Sequence, residues 1–248
     1  MHKLVFVRHG KTSWADKFTG WTDIDVTPEG IEQTRKFAPR LKEAGFTFDI
    51  AYTSYLKRAI RTLWTVLEAN DQMYIPVKTS WKLNERHYGA LQGLNKAETA
   101  AKYGEDQVQI WRRSYDTPPP LLTEDDPRNP KHDPRYAHLS PTEIPLGESL
   151  KDTVARAVPY WTEEIMPTIK SGKKVLISAS HNSMRAICMH VEGMTPDQVM
   201  GFNIAYSIPL VYEFDDDMKF QKKYYLASDA EVEAVISEIK NQGKAKKA

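Results

Sequence analysis

The apolar positions of the chain fall into two alternating patterns, short continuous runs and longer stretches with helical spacing. The short runs predict four buried strands, at residues 4–7, 49–52, 74–77 and 175–178. Stretches with helical spacing predict helices at 28–44, 54–67, 149–166 and 182–191. Because strands and helices take turns along the chain, we predict an α/β fold with a mainly parallel sheet flanked by helices on both faces.

Residues 81–147 interrupt this alternation. Two short helices are predicted near 95–103 and 106–114, and eight of the 15 prolines then fall between 117 and 145. Long irregular loops in compact domains usually serve binding or closure. We therefore interpret 81–147 as an inserted substrate-binding and lid region within one domain that spans residues 1–248.

The last part of the chain predicts a hairpin and a tail. Apolar runs at 208–214 and 219–225 flank a turn of three aspartates and predict two paired strands. Residues 229–248 begin with a helical pattern and end rich in lysine, so we predict a mobile C-terminal tail.

The charge balance argues against nucleic acid as a partner. The chain has 34 basic and 33 acidic residues in 248, a formal net charge of +1, whereas nucleic-acid-binding domains usually carry a basic excess. The single cysteine, Cys188, excludes an internal disulfide. The N-terminus runs directly into the first predicted strand and no apolar run reaches about 18 residues, so we expect a cytoplasmic protein without a membrane span.

Two histidines, His9 and His181, each follow a predicted strand. The carboxyl ends of parallel strands lie at one edge of a sheet, so we expect these side chains to lie close together. A neutral imidazole is a good nucleophile toward phosphorus, and Arg8 beside it can bind phosphate oxygens in bidentate fashion. Gly10 allows the backbone to turn close to a bound anion. The triplet is compatible with phosphoryl transfer with His9 as nucleophile, and also with a structural histidine after a strand, so further motifs must distinguish the two.

Several further motifs resemble the cofactor-dependent phosphoglycerate mutases of the histidine phosphatase superfamily. In chain order they are 8–14 (RHGKTSW), 18–21 (FTGW), 23–27 (DIDVT), 53–59 (TSYLKRA), 83–96 (LNERHYGALQGLNK), 111–113 (WRR) and 241–244 (NQGK). They cover nearly the whole chain, and the segment 83–96 is the most similar. The resemblance implies the phosphoglycerate mutase-like fold and an enzyme that interconverts 3-phosphoglycerate and 2-phosphoglycerate.

The resemblance also implies catalytic roles for residues at matching positions. His9 would carry the phosphoryl group, and Arg8 and Arg58 would hold that group during transfer. Glu85 would act as general acid and base on the substrate hydroxyl. His181 would stand opposite His9 as the second catalytic histidine.

The implied substrate is a small anion with a phosphate and a carboxylate. Residues implied to bind it or to close the pocket around it are Thr19, Gly20, Tyr88, Lys96, Arg112, Arg113 and Asn182. The phosphoryl donor that primes His9 would be 2,3-bisphosphoglycerate. No metal is expected, because the histidines and carboxylates show no ligand spacing. A homodimer or homotetramer without nucleic-acid or membrane partners is also implied.

Departures from the family pattern concentrate on the phosphate side of the predicted pocket. Lys11 stands where the family usually has Glu, and Ala15 stands where it has Asn, in a segment about two residues shorter. Lys17 or Thr12 could substitute for the missing phosphate contact, and we hypothesise that the pocket is rearranged on this side with Lys17 taking part.

A second departure follows the late strand, where the family reads Ala-His-Gly-Asn-Ser. This chain reads Ala179-Ser180-His181-Asn182-Ser183, which puts Ser180 at the position of the catalytic histidine in an ungapped alignment. Serine alone would replace the histidine poorly, so we expect His181 to occupy the pocket. Two other functions stay open at this point: a phosphatase of the same superfamily that acts on small phosphorylated metabolites, and a catalytically degenerate member that only binds anions.

Overall fold

A computed structural model describes residues 1–241 of the chain. Its centre is a six-stranded sheet with the spatial order β3-β2-β4-β1-β5-β6. The strands are β1 His2–Arg8, β2 Ile50–Thr53, β3 Val77–Thr79, β4 Val175–Ala179, β5 Leu210–Phe214 and β6 Phe220–Tyr225. The first four run parallel to one another, whereas β5 and β6 are antiparallel to their neighbours. The α/β fold with a mainly parallel sheet is confirmed.

Helices cover both faces of the sheet. They are α1 Pro28–Phe37, α2 Pro39–Glu43, α3 Lys57–Ala69, α4 Lys96–Tyr103, α5 Glu105–Arg113, α6 Leu150–Tyr160, α7 Met166–Lys170, α8 His181–Glu192, α9 Pro196–Gly201 and α10 Asp229–Asn241. Successive strand residues point to opposite faces, and β1 shows the result. Leu4 and Phe6 belong to a core cluster with residues of α6 and α8, while Val5 and Val7 belong to one with residues of α2 and α3.

Prolines divide two of the predicted long helices. The helix predicted over 28–44 is divided at Ala38, because Pro39 has no N–H to continue the backbone hydrogen bonds. Its start is as predicted, with the Thr27 hydroxyl accepting the Gly30 N–H at 3.1 Å. The helix predicted over 149–166 contains Pro159 and passes through a π-helical turn, Trp161–Ile165, before α7.

Two boundary predictions were wrong. The third strand was predicted at 74–77 and lies at Val77–Thr79, where it pairs with β2. The predicted range contained Pro76, which has no N–H to donate in strand pairing. The helix predicted from residue 54 begins three residues later, as α3 at Lys57. The cap comes from a distant residue, because the Lys57 N–H donates to Asp23 Oδ1 at 2.7 Å.

The predicted inserted region contains α4, α5 and several one-turn 3-10 helices, joined by irregular chain. Arg156 of α6 ties this region to the rest of the fold, because its guanidinium donates to the Lys82 carbonyl at 2.9 Å and to the Glu85 carbonyl at 2.9 Å. In the predicted tail, α10 is packed, since Val235 and Ile239 are buried in one cluster with Phe37. The rest of that tail, 242–248, lies outside the described residues. None of the helices in residues 1–241 is long and apolar enough to cross a membrane.

Candidate active site

The two predicted histidines lie at the same edge of the sheet, as the topology requires. Strands β1 and β4 are parallel neighbours in which Arg8 is paired with Ala179. The His9 N–H donates to the Ala179 carbonyl at 3.1 Å, and His181 is the first residue of α8, just after β4. Both side chains face a cavity of about 110 Å³.

All twelve residues predicted for catalysis or binding line this cavity. They are Arg8, His9, Thr19, Gly20, Arg58, Glu85, Tyr88, Lys96, Arg112, Arg113, His181 and Asn182. The residues that complete the lining are Thr12, Trp14, Ala15, Lys17, Phe18, Arg185 and Tyr206. Segments far apart in sequence therefore converge on one small volume.

The local contacts of His9 fix its tautomer. Nδ1 lies 2.8 Å from the Gly10 carbonyl oxygen, which can only accept, so Nδ1 carries the proton. The Gly10 N–H in turn donates to the Thr62 hydroxyl at 3.0 Å, which holds the turn after β1. Burial, and then the positive charges of Arg58 and Arg8, hold the pKa of His9 well below its usual value. The ring is thus neutral, with its lone pair on Nε2.

Two buried guanidinium groups flank this imidazole. Arg8 Nη1 donates to the Ile204 carbonyl at 2.7 Å, and its Nε has no hydrogen-bond partner among the described residues. Arg58 lies at the start of α3 and donates to the carbonyls of Gly20 at 2.7 Å and Thr22 at 3.0 Å. Backbone carbonyls therefore fix both arginines without neutralising their charge.

Gly20 must be a glycine for this arrangement. Its φ is +52°, in the left-handed region, and a Cβ there would lie 2.2 Å from Gln92 Oε1 and 2.9 Å from the Tyr88 backbone nitrogen. The tight turn is what brings the Gly20 carbonyl to Arg58.

Glu85 is held in the cavity wall by backbone donors. Its Oε1 accepts the N–H of Arg86 at 2.7 Å and the N–H of Asn182 at 3.2 Å. Behind it, the guanidinium of Arg156 donates to the Glu85 carbonyl at 2.9 Å while it is paired with Glu148. The buried ion pair therefore positions the backbone that carries Glu85.

His181, not Ser180, is the residue that lines the cavity. The Ile204 N–H donates to His181 Nε2 at 3.4 Å, which leaves the proton of the neutral ring on Nδ1. Burial, followed by the charges of Arg8 and Arg185, holds the pKa of His181 well below its usual value. Ser180 is fully buried, and its hydroxyl has no hydrogen-bond partner among the described residues.

The inserted region supplies a second group of cations. Lys96 is the first residue of α4, and its Nζ donates to the Ala15 carbonyl at 2.7 Å. Burial, then the charges of Arg112 and Arg8, lower the pKa of Lys96 to about 7. Arg112 and Arg113 end α5, and burial is the main cause that lowers the pKa of each. These groups and the sheet-edge arginines enclose the cavity from two sides of the fold.

Comparison with known proteins agrees with this architecture. The family model of the histidine phosphatase superfamily, branch 1, matches residues 4–225. The chain belongs to the histidine phosphatase superfamily. Among solved structures, a mycobacterial glucosyl-3-phosphoglycerate phosphatase in complex with VO3 is similar, with 20% identity and a TM-score of 0.69 over 92% of this chain and 100% of that chain.

Two further solved structures have similar folds. The α-ribazole phosphatase from Shigella flexneri is 17% identical with a TM-score of 0.63, covering 91% of this chain and 96% of its own. Bacillus stearothermophilus YhfR is 19% identical with a TM-score of 0.66, and the match covers 88% of this chain and 94% of that chain. At these identities the likeness shows a shared fold.

The cavity is far more positively charged than the chain as a whole. Within the described residues, the lining holds a single carboxylate, Glu85, and seven cationic side chains: Arg8, Lys17, Arg58, Lys96, Arg112, Arg113 and Arg185. The whole chain has a formal net charge of only +1. The basic residues are therefore concentrated where a polyanion would bind.

Of the residues that complete the lining, Arg185 and Tyr206 lie outside every motif singled out from the sequence. Arg185 lies one helical turn after His181, so the i,i+4 spacing on α8 could have indicated it. It donates to Asn182 Oδ1 at 2.8 Å, and burial followed by the charge of Arg113 lowers its pKa to about 10. Tyr206 lies in the segment before β5, and no local spacing indicated that it would reach the site.

Proposed function

We propose that this protein transfers a phosphoryl group through His9 between hydroxyl oxygens of a small phosphorylated carboxylic acid. The proposed reaction is the interconversion of 3-phosphoglycerate and 2-phosphoglycerate. The observation that carries the proposal is the concentration of seven cations around a neutral histidine in a cavity of about 110 Å³. A cavity of this size and charge suits a substrate with two anionic groups on a short carbon chain.

The chain's own residues account for each half of the transfer. His9 Nε2 forms a bond to phosphorus as the bond from phosphorus to the substrate oxygen breaks, and the leaving oxygen takes a proton from Glu85. The reverse step at the neighbouring hydroxyl returns a proton to Glu85. Arg8 and Arg58 hold the transferring group, and the Nδ1–H of His181 is available to donate to one of its oxygens. Such transfer depends on positioning and charge stabilisation.

The second anionic group of the substrate is assigned to the inserted region. Lys96, Arg112 and Arg113 would bind the carboxylate, and Thr19, Gly20 and Tyr88 would close the pocket around the carbon chain. The same cations fit 2,3-bisphosphoglycerate, which supplies the phosphoryl group that primes His9. No metal is assigned a role. Within residues 1–241, no group of three or more His, Cys, Asp or Glu is placed to hold one.

Hydrolysis is the second candidate and has at least equal support from the comparisons. Two structurally similar proteins are phosphatases, and the Asn expected to bind phosphate in the mutase pattern is Ala15 here. A mutase must keep water from the phosphohistidine between half-reactions, whereas a phosphatase admits it. An anion-binding protein without turnover is the third candidate, and it predicts no phosphohistidine at all.

One experiment distinguishes the three candidates. The wild-type protein and His9→Ala are incubated without metal with 3-phosphoglycerate, with and without 2,3-bisphosphoglycerate, and both 2-phosphoglycerate and free phosphate are measured. A mutase gives 2-phosphoglycerate in excess over phosphate and depends on the bisphosphate. Free phosphate as the main product would establish the phosphatase, and equal, negligible turnover by both proteins would contradict the proposal.

A further inference from the structure

The segment 204–207, which precedes β5, contacts three of the proposed catalytic residues. The Ile204 carbonyl accepts from Arg8 Nη1 at 2.7 Å, and the Ile204 N–H donates to His181 Nε2 at 3.4 Å. The Tyr206 ring centroid lies 3.9 Å from the guanidinium carbon of Arg8 and 6.0 Å from the centroid of the His9 ring. One short segment therefore reaches the nucleophile, a phosphate-binding arginine and the second histidine.

The backbone of this segment is tightly fixed. Tyr206 forms a parallel bridge with Arg8, and the Ser207 N–H donates to the Arg8 carbonyl at 2.9 Å. Ser207 has φ of +60°, a conformation uncommon outside glycine, and its hydroxyl is paired with the Thr34 hydroxyl at 2.8 Å. The backbone from which the Tyr206 ring extends is thus fixed beside Arg8.

The ring is also supported from within the fold. Tyr206 is only 6% exposed and belongs to a core cluster with Phe37 of α1 and with Val235 and Ile239 of α10. A guanidinium on a ring face gains a cation–π attraction, which is larger when the pair is shielded from water. Arg8 is likewise 6% exposed, so the contact is a shielded one.

We infer that Tyr206 is a positioning residue, whose ring holds the Arg8 guanidinium against His9 in the geometry needed for phosphoryl transfer. The role of Arg8 in phosphoryl transfer rests on the proposed function. The placement of the Arg8 guanidinium by the Tyr206 ring does not. Without the ring, Arg8 keeps its hydrogen bond to Ile204 and loses the surface that fixes the plane of its guanidinium. The packing of α10 behind Tyr206 then becomes part of what holds the catalytic geometry.

The test compares Tyr206→Leu, Tyr206→Phe and the control Phe37→Leu, which loses an aromatic ring from the same cluster without contact to Arg8. The first readout is the titration of the His9 imidazole by NMR in the unliganded protein, which needs no catalysis. Because Arg8 disfavours the imidazolium, its release in Tyr206→Leu should raise the His9 pKa by at least about half a pH unit. Tyr206→Phe and Phe37→Leu should keep the wild-type value.

The second readout is the rate of His9 phosphorylation by 2,3-bisphosphoglycerate. Tyr206→Leu should be slower by about tenfold, and Tyr206→Phe should stay within about threefold of wild type, because the ring face is retained. An unchanged His9 titration in Tyr206→Leu would overturn the inference, as would equal effects of Tyr206→Leu and Phe37→Leu. If the wild-type protein is not phosphorylated, the proposed function is overturned. If Tyr206→Leu nevertheless raises the His9 pKa as expected, the positioning role of Tyr206 stays supported.

Discussion

The Nδ1–H of His9 donates to the carbonyl oxygen of Gly10 at 2.8 Å, and this contact decides which nitrogen of the ring is nucleophilic. Nδ1 is occupied by a proton that the carbonyl holds, so the lone pair of the neutral imidazole lies on Nε2. The low pKa of the buried ring keeps that lone pair free of a second proton near neutral pH.

The first prediction concerns the site of phosphorylation. Exposure to 2,3-bisphosphoglycerate should give an acid-labile phosphate on Nε2 of His9, detectable by nitrogen–phosphorus coupling in NMR. His9→Ala should not be phosphorylated. Its turnover should fall by at least about a thousandfold, as it does when a covalent nucleophile is removed from other enzymes. Phosphate on Nδ1 would show that the Gly10 contact does not persist during the reaction.

A second prediction follows from the pKa of Lys96, which is lowered to about 7. Lys96 is cationic below this pH and neutral above it, so the unliganded protein loses one anion-binding charge as the pH rises. We expect kcat/KM to fall by up to about tenfold per pH unit above 7.5. His9 is already neutral throughout this range and does not contribute to the slope.

Lys96→Arg is the matched control, because a guanidinium stays charged across the range. Its kcat/KM should lose the decline between pH 7.5 and 8.5 that the wild type shows. If wild type and Lys96→Arg decline together, another group causes the pH dependence.

The third prediction separates His181 from Ser180. His181 lines the cavity, so His181→Ala should lower kcat by about 10²–10³-fold, the usual effect of removing one donor to a developing charge. Ser180→Ala should change kcat less than about threefold. It should not reduce stability, since the hydroxyl it removes is buried without a described partner. The opposite ranking would place Ser180 in the catalytic position.

Lys17 gives a fourth prediction. It lies in the cavity lining with its Nζ 5.0 Å from the centre of the Trp14 ring. We expect Lys17→Ala to slow phosphorylation of His9 by about tenfold, by loss of one charge near the phosphate. Lys102→Ala is the control, because Lys102 lies 5.0 Å from the Tyr103 ring and is outside the cavity lining. Unchanged phosphorylation in Lys17→Ala would refute the hypothesis that Lys17 replaces the missing Asn.

The fifth prediction concerns stability. Arg156 and Glu148 are buried and paired, and Arg156 also donates to three backbone carbonyls between residues 82 and 85. Arg156→Met leaves Glu148 buried without its partner and should lower the free energy of unfolding by about 3–5 kcal/mol. Urea unfolding measures this. Lys42→Met breaks an exposed ion pair with Asp71 and should leave the unfolding midpoint unchanged.

Local sequence patterns predicted the elements better than their junctions. Asn95 caps α4 with its own side chain, and this helix was predicted within a residue. The start of α3 was missed because its cap is Asp23, 34 residues away. A local pattern also predicted that His9 and His181 share a sheet edge, since that follows from strand direction alone.

Tyr206 shows what local patterns omit. It reaches the site because the segment before β5 pairs beside Arg8, a contact between residues almost 200 positions apart. The positions of Arg112 and Arg113 were expected only from resemblance, because nothing in their spacing shows that the end of α5 faces the sheet edge. Long-range packing decides these positions, and it leaves little trace in the sequence nearby.

The concentration of charge in the cavity has a consequence for the kinetics of substrate encounter. Setting aside the seven cations and the one carboxylate of the lining leaves 27 basic and 32 acidic residues, a formal net charge of −5 for the rest of the chain. The cavity is thus strongly cationic in a chain that is otherwise net acidic, and this contrast steers an approaching anion toward the cavity. The association rate should therefore fall as ionic strength screens this field, while the chemistry inside the shielded cavity stays nearly constant.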